Sequence, residues 1–222
     1  MRRAASFDAW LDGLTDEVAK KAIVDRILRI QDGLLGDRRS VGDKVSELRI
    51  DVGQGYRLYY TIAGRAVVHL LRGGNKKTQK ADIGKAGAAV KAMAKAKKGA
   101  GESRVRERQS GYAAEAEEPL VTAEDITFSP FDAADYIKGD DEAQIYLLRN
   151  ALASGRPGYI AAALGAVARA RGLSRLERET GIKRQTLNKS LSAKGNPTLE
   201  TLTTVLGALG LRLEVVEDSP TP

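Results

Sequence analysis

Apolar residues in the first hundred positions follow two periods, and the change from one to the other marks out the elements. Phe7, Trp10, Leu11 and Leu14, then Val18, Ile23, Ile27, Ile30 and Leu34, recur every three or four residues, which predicts helices over 6–35. Thr15 is placed to cap the second helix, with Asp16 and Glu17 in its first turn. After the Gly- and Asp-rich break DGLLGDRRSVGD the period becomes two. ELRIDVGQGYRLYY reads as two strands joined by Gly-Gln-Gly, with Leu48, Ile50 and Val52 on one face of the first and Leu58, Tyr60 and Ile62 on one face of the second. Strands are expected at 45–52, 56–63 and 65–72, followed by GGNKKTQKAD and an Ala/Lys/Gly helix ending near Lys98. Helix–helix–strand–strand–strand–helix is a small α+β domain with a meander sheet.

Residues 99–125 hold few large apolar side chains and many charges, Gly and Ala, the composition of a flexible linker. Beyond it the period is helical again. Ile145, Leu148 and Leu152 form one stripe, and Pro157 opens a helix faced by Ile160, Leu164 and Val167. Asn196-Pro197 introduces a helix through Leu199, Leu202, Val205, Leu206 and Leu209 that Gly210 stops, with LRLEVV a candidate terminal strand. The domains expected are therefore 1–98 and 126–222, the second all-α.

Composition narrows the class. The chain has 222 residues, enough for two small domains, and no cysteine, so it has neither a disulfide framework nor a thiolate metal site. No apolar run approaches membrane length and no signal-peptide core follows MRRAAS, so a cytoplasmic protein off the membrane is expected. Residues 1–100 carry 21 Lys and Arg against 11 Asp and Glu, and the remainder carry 15 against 18. A basic first half suits a polyanion, and a mildly acidic second half suits the first.

LSRLERETGIKRQTLNKSL, residues 173–191, carries the clearest motif. Ser174 and Glu177 have capping-box spacing, Gly181 stands where a turn between helices needs a left-handed residue, and Leu173, Leu176, Ile182, Leu187 and Leu191 can share a core. That exposes Arg184, Gln185, Asn188 and Lys189. The first three can make bidentate contacts to base edges, and Lys189 suits a phosphate. Together with DAADYI and the helices on either side, the stretch from about Ile126 to Val216 resembles the antitoxins of HigA-type addiction modules, a lambda-repressor-like family. The resemblance implies a helix-turn-helix that binds operator DNA as a homodimer. In that family position 177 is commonly small and position 183 often a Ser cap; here they are Glu and Lys, and Lys183 can add a phosphate contact.

On the strands at 45–63, alternation brings Arg49, Arg57 and Tyr59 to one face, where like charges are unfavourable unless an anion lies between them. FDAWL, VGDKVSELRIDVGQGYRLYY and LLRGGNKKTQKADI, in that order, resemble the HigB/RelE-like toxins of the Gp49-like branch over residues 6–97. Those are mRNA interferases acting on the ribosome. RNA cleavage through its own 2′-OH needs that proton removed, charge on phosphorus stabilised and the 5′-oxygen protonated. Arg49 and Arg57 cannot be bases but can clamp the phosphate. Lys76 or Lys77 is the candidate base, Tyr59 (preferred to Tyr60, which should pack inward) the proton donor, and Gln79 a ribose or base contact. No metal or other cofactor is expected. The plainer alternatives are a solvated Lys76–Lys77 loop and an Arg49 paired with Glu47 or Asp51; His69, in AVVHLLR, reads as a core histidine.

The chain thus reads as a toxin followed by its antitoxin on one polypeptide. The runner-up is a DNA-binding regulator whose basic first domain no longer catalyses. Residues 126–152 are expected to shield the arginine face, through Phe128, Phe131, Asp132, Asp135 and Tyr136, with Asp140, Asp141 and Glu142 as further anions. The toxin family opens on a strand, for which MRRAAS is short, and DITF at 125–128 is the candidate to add one.

Overall fold

The computed structural model describes residues 1–64, 67–102 and 128–215. Two compact units emerge, one of Met1–Ile23 with Leu35–Phe131, the other of Val24–Leu34 with Asp132–Pro222.

The first unit is built on a six-stranded sheet of β1 (Arg2–Ala4), β2 (Arg38–Gly42), β3 (Val45–Ile50), β4 (Tyr56–Ala63), β5 (Val67–Asn75) and β6 (Phe128–Pro130), in the order β2-β3-β4-β5-β1-β6. The middle strands are the meander expected, and their register sets Glu47 opposite Tyr59 and Arg49 opposite Arg57. Leu48, Leu58 and Tyr60 are fully buried on one face. On the other, Val45, Tyr59 and Leu71 pack with Ala86, Ile83, Val90 and Met93 of α3 (Gln79–Glu102). Burial on both faces explains why β4 carries bulky side chains at successive positions; each contributes about 1.5–3 kcal/mol. Ile62, near the end of β4, is exposed instead.

The sheet exceeds the three strands expected in ways that alternation could not announce. β2 lies inside the predicted break; its Arg38, Arg39 and Ser40 are exposed and show no apolar face. Three residues of MRRAAS do suffice for a strand, β1, because β5 supplies a parallel partner and β6 an antiparallel one. The strand sought at DITF begins only at Phe128; residues 125–127 lie outside the described residues. So do residues 103–125 of the expected linker, whose first positions, 99–102, continue α3.

α1 (Ala5–Asp12) buries Phe7 and Leu11. α2 (Glu17–Gln31) is capped by Asp16, whose carboxylate accepts from the Ala19 amide at 2.9 Å, so the cap is one residue later than Thr15. Val18 is exposed, not part of the apolar stripe. From Val24 onward this helix belongs to the second unit, with Ile27, Leu28 and Ile30 buried.

The second unit is otherwise helical: α4 (Ala134–Ile137), α5 (Asp141–Ala153), α6 (Pro157–Arg171), α7 (Leu173–Thr180), α8 (Arg184–Ser190) and α9 (Leu199–Ala208). α6 is buried on all sides from Ala161 to Ala168, as its alanine content permits. Pro157 does open α6. The buried stripe of α5 runs through Gln144, Leu147, Leu148 and Ala151, rotated from the one expected; Leu152 is exposed. Thr198, rather than Asn196, caps α9 by accepting from the Thr201 amide at 3.1 Å. Residues 211–215 form no strand.

Candidate functional site

Glu47 organises the cationic face of the first unit. Its side chain is 0% exposed, and four side chains converge on it, three by hydrogen bonds and Arg57 by charge. Arg49 Nε lies 3.3 Å from Oε1, and Arg57 Nε 3.7 Å from Oε2. Gln79 Nε2 donates to Oε2 at 2.7 Å and the Tyr59 hydroxyl at 3.3 Å. Two strands and the first residue of α3 therefore meet at one carboxylate. The anion that two opposed arginines require is supplied by the protein itself, as the pairing of Arg49 with Glu47 anticipated. Burial, with the Glu47 charge beside it, pushes the Tyr59 phenol far above the ordinary tyrosine range, so the hydroxyl keeps its proton and holds Glu47 by a hydrogen bond.

The guanidiniums differ in what remains available. Arg49 spends only its Nε on Glu47 among the described residues, and 39% of its side chain is exposed. Arg57 is 12% exposed and also donates Nη1 to the Gly55 carbonyl. Tyr59 and Tyr60 are both buried; alternation placed Tyr59 on the arginine face, where it holds Glu47, and Tyr60 packs inward. Lys76 and Lys77 are exposed in a turn stitched by Asn75, whose Oδ1 accepts from the amides of Lys77 and Thr78. Gln79 reaches the carboxylate through its amide nitrogen.

Two further features belong to this face. Arg72 lies opposite Tyr59 and binds Asp82 of α3 at 2.6 Å. Gly74 lies opposite Arg57, and a Cβ there would stand 2.0 Å from Asp82 Oδ2. Its neighbour Gly73 faces the other way, where a Cβ would stand 2.0 Å from the Trp10 ring. The glycine pair thus admits a carboxylate on one side of β5 and an indole on the other. Glu47 and these two glycines were not read as functional, although shared parity with Arg49 and Arg57 was the available signal for Glu47. His69 is buried against Phe128 in an edge-to-face contact at 4.6 Å between centroids, a core position.

In the second unit, Gly181 adopts the left-handed conformation (φ 72°) between α7 and α8. Leu176, Leu187 and Leu191 are buried, leaving Lys183, Arg184, Gln185, Asn188 and Lys189 exposed. Gly165 of α6 lets the end of α8 approach; a Cβ would fall 1.9 Å from the Leu191 carbonyl oxygen. Ser174 and Glu177 do not form a capping box, because α7 starts without a side-chain cap. Glu177 instead accepts from the Arg184 amide at 3.2 Å, serving α8, where Lys183 makes no cap. Beside α8, a cleft of about 270 Å³ is lined by Thr186, Lys189, Ser190, Lys194, Gly195 and Asn196.

The residues expected to neutralise the arginine face fall in both units. Phe128 packs against the cluster containing Tyr59, and Phe131 lies under the Arg3 guanidinium. Asp132 is held by Arg169 through both oxygens at 2.8 and 2.9 Å. Asp140 caps α5, and Asp141 pairs with Arg171 at 2.9 Å. Asp135 is exposed, as is Glu142, while Tyr136 is half-buried. Arg169 and Arg171 of α6 thus engage Asp132 and Asp141 within the helical unit.

Residues 9–97 match the family model described as "Phage derived protein Gp49-like", and residues 127–217 match "Probable addiction module antidote protein". The chain is similar to two proteins of Haemophilus influenzae, each described as an uncharacterized protein. One is 47% identical over 83 residues, 37% of this chain and 84% of the relative. The other is 41% identical over 85 residues, 38% of this chain and 87% of the relative. No solved structure matches. Among the described residues no helix is long and apolar enough to cross a membrane.

Proposed function

This chain belongs to the addiction-module proteins, Gp49-like in its first part and antidote-like in its second, and from that premise we propose that it is a ribonuclease carrying its own neutraliser. The first part is a HigB/RelE-like mRNA interferase acting on the ribosome; the second, HigA-like, restrains it and binds operator DNA as a dimer. The observation that carries the nuclease reading is the convergence of Arg49 and Arg57 on Glu47. One carboxylate fixes both guanidiniums and leaves a net positive charge, so unused N–H groups can receive a phosphodiester and the charge that grows on it. Glu47, Tyr59 and Gln79 are positioning residues, since the carboxylate and phenol are buried. One of Lys76 and Lys77, in the adjoining turn, takes the 2′-OH proton and the other gives a proton to the departing 5′-oxygen.

Operator binding is supported by the exposed Arg184, Gln185 and Asn188 on one short helix, with Lys183, Lys189 and the lysine-lined cleft for phosphates. The lambda-repressor-like assignment belongs to the same reading. The rival, a regulator with an inactive first domain, draws on the fact that Glu47 already occupies the place between the arginines.

Expression of residues 1–102 in growing cells decides between them. Growth arrest with message cleavage, abolished by a combined Arg49→Ala and Arg57→Ala change and absent for 1–222, is expected. Harmless expression of the soluble fragment, with no RNA cleaved in vitro, leaves the regulator.

A further inference from the structure

The two family matches and the two compact units divide the chain differently. Residues 24–34 lie within the Gp49-like match, yet they belong to the compact unit formed by residues from Asp132 onward. Conversely, Phe128–Phe131 lie within the antidote-like match, yet they belong to the unit with the sheet. Each part therefore contributes a segment to the unit built mainly by the other.

The contributed helical segment presents a polar stripe. Asp25, Arg29 and Asp32 follow one another at four- and three-residue spacing, one face of a helix and its end. The first turn of α6 answers each of them. The fully buried Tyr159 donates its hydroxyl to Asp25, which also pairs with Arg29 at 2.9 Å. The Arg29 guanidinium lies 5.7 Å over the Tyr159 ring. Arg156 binds Asp32 twice, Nε to the carboxylate at 2.6 Å and Nη2 to the carbonyl at 3.3 Å. Gly158 allows this approach, since a Cβ there would stand 2.2 Å from Asp32 Oδ1. The Tyr159–Asp25 pair is buried and costly to strip of its partner, which makes such a surface selective, and the Arg156–Asp32 pair lies at its exposed edge.

We propose that Asp25, Arg29 and Asp32 form the docking surface by which the antidote-like part holds the Gp49-like part, with Tyr159 and Arg156 as its anchors. The occupant is the α6 turn of this chain. β6 is the companion contact: Arg3 opposes Ser129 in its ladder, and Arg3 Nε donates to Ser129 Oγ at 3.2 Å. With a helix stripe and a strand both engaged, the restraint does not depend on the covalent connection through 103–127. This rests on the toxin-and-antidote reading for its meaning, but not for its test.

A protease site placed within residues 103–127 of the full chain, cut after purification, gives that test. The two pieces should co-elute on gel filtration. Tyr159→Phe should raise their dissociation constant about tenfold or more, as expected for a buried acceptor losing its donor. Arg156→Asp should weaken it about fivefold, and adding Asp32→Arg should restore it, a rescue that generalised misfolding would not show. Pieces that part as soon as the unaltered chain is cut overturn the proposal, as does Arg156→Asp without effect or without rescue by Asp32→Arg. RNA cleavage is read separately on the same samples. Bound pieces with no nuclease under any condition would reject the enzyme reading and leave the docking surface standing; separating pieces with active nuclease would do the reverse.

Discussion

Glu47 and Asp25 are assembled from the same parts and come out differently. Each is a buried carboxylate that accepts from a tyrosine hydroxyl and pairs with arginine. Around Glu47 there are two arginines, so the cluster is left with a net positive charge and a half-exposed guanidinium at its rim. Around Asp25 there is one, so charge is balanced, and the arginine lies over the tyrosine ring. Surplus charge beside solvent is what a phosphate site needs; a closed balance is what a docking contact needs. The two clusters differ in the stoichiometry of arginine to carboxylate more than in residue types.

Removing the carboxylate that holds the surplus should have the largest effect. Glu47→Ala leaves Arg49 and Arg57 directly opposed with no anion between them, and strips the Tyr59 hydroxyl and the Gln79 amide of their acceptor. A loss of about 3–5 kcal/mol is expected in denaturant unfolding of the full chain, the range for breaking a buried ion pair. Asp25→Ala, in the balanced cluster, should cost less. If the two costs are equal, the contrast in stoichiometry has no energetic content.

The glycine pair sharpens the same comparison, because it shows how tightly the cationic face is built. Gly74→Ala must displace Asp82, which is buried and bound to Arg72, so about 1–3 kcal/mol of overpacking is expected. Gly84 is the control: it lies inside α3 with nothing within 4 Å of its Cβ position. Gly84→Ala should be stabilising by about 1 kcal/mol through helix propensity. Thermal melts of the two variants should move in opposite directions.

Protonation distinguishes the clusters next. Burial raises the Asp25 carboxyl above its ordinary 3.8, against the lowering by Tyr159 and Arg29. A raised acid pKa favours the protonated form in the folded state. Its contribution is therefore complete below pH 3.8 and is lost as pH rises through the higher folded value. Asp25→Asn should remove that component, flattening the acid side of the stability–pH curve of the second unit. A curve superimposable on the unaltered chain would show that Asp25 titrates normally.

Much of the first site could be read from alternation alone. Parity put Arg49, Arg57 and Tyr59 on one face, and the observed register sets the two arginines opposite each other. Glu47 obeys the same parity, but nothing local distinguishes an acidic residue at a sheet centre from one at its surface; burial by α3 decides that. The exchange of residues 24–34 and 128–131 between units was not legible, since Asp25 meets Tyr159 across 134 positions. β1 and β2 escaped notice for a related reason. Both are strands by virtue of their neighbours, with three residues in one and an exposed polar surface on the other.

A third carboxylate, at the surface, sets the small end of the scale. Glu177 accepts from the Arg184 amide, the first of α8, while Lys183 at the cap position contributes no side-chain bond. Glu177 thus serves the first free amide of α8 from the preceding helix, while a serine at 183 would serve the second or third. Glu177→Ala should cost about 1 kcal/mol, the usual value of an N-cap. Lys183→Ser should add about 1 kcal/mol in the Glu177→Ala background and in the unaltered chain alike, because its hydroxyl would accept from the amide of Gln185 or Thr186, a different donor from the Arg184 amide that Glu177 serves. A gain from Lys183→Ser confined to the Glu177→Ala background, read by thermal melts, would mean instead that the two oxygens compete for one amide, and Glu177→Ala without cost would mean that the 3.2 Å contact carries no capping energy.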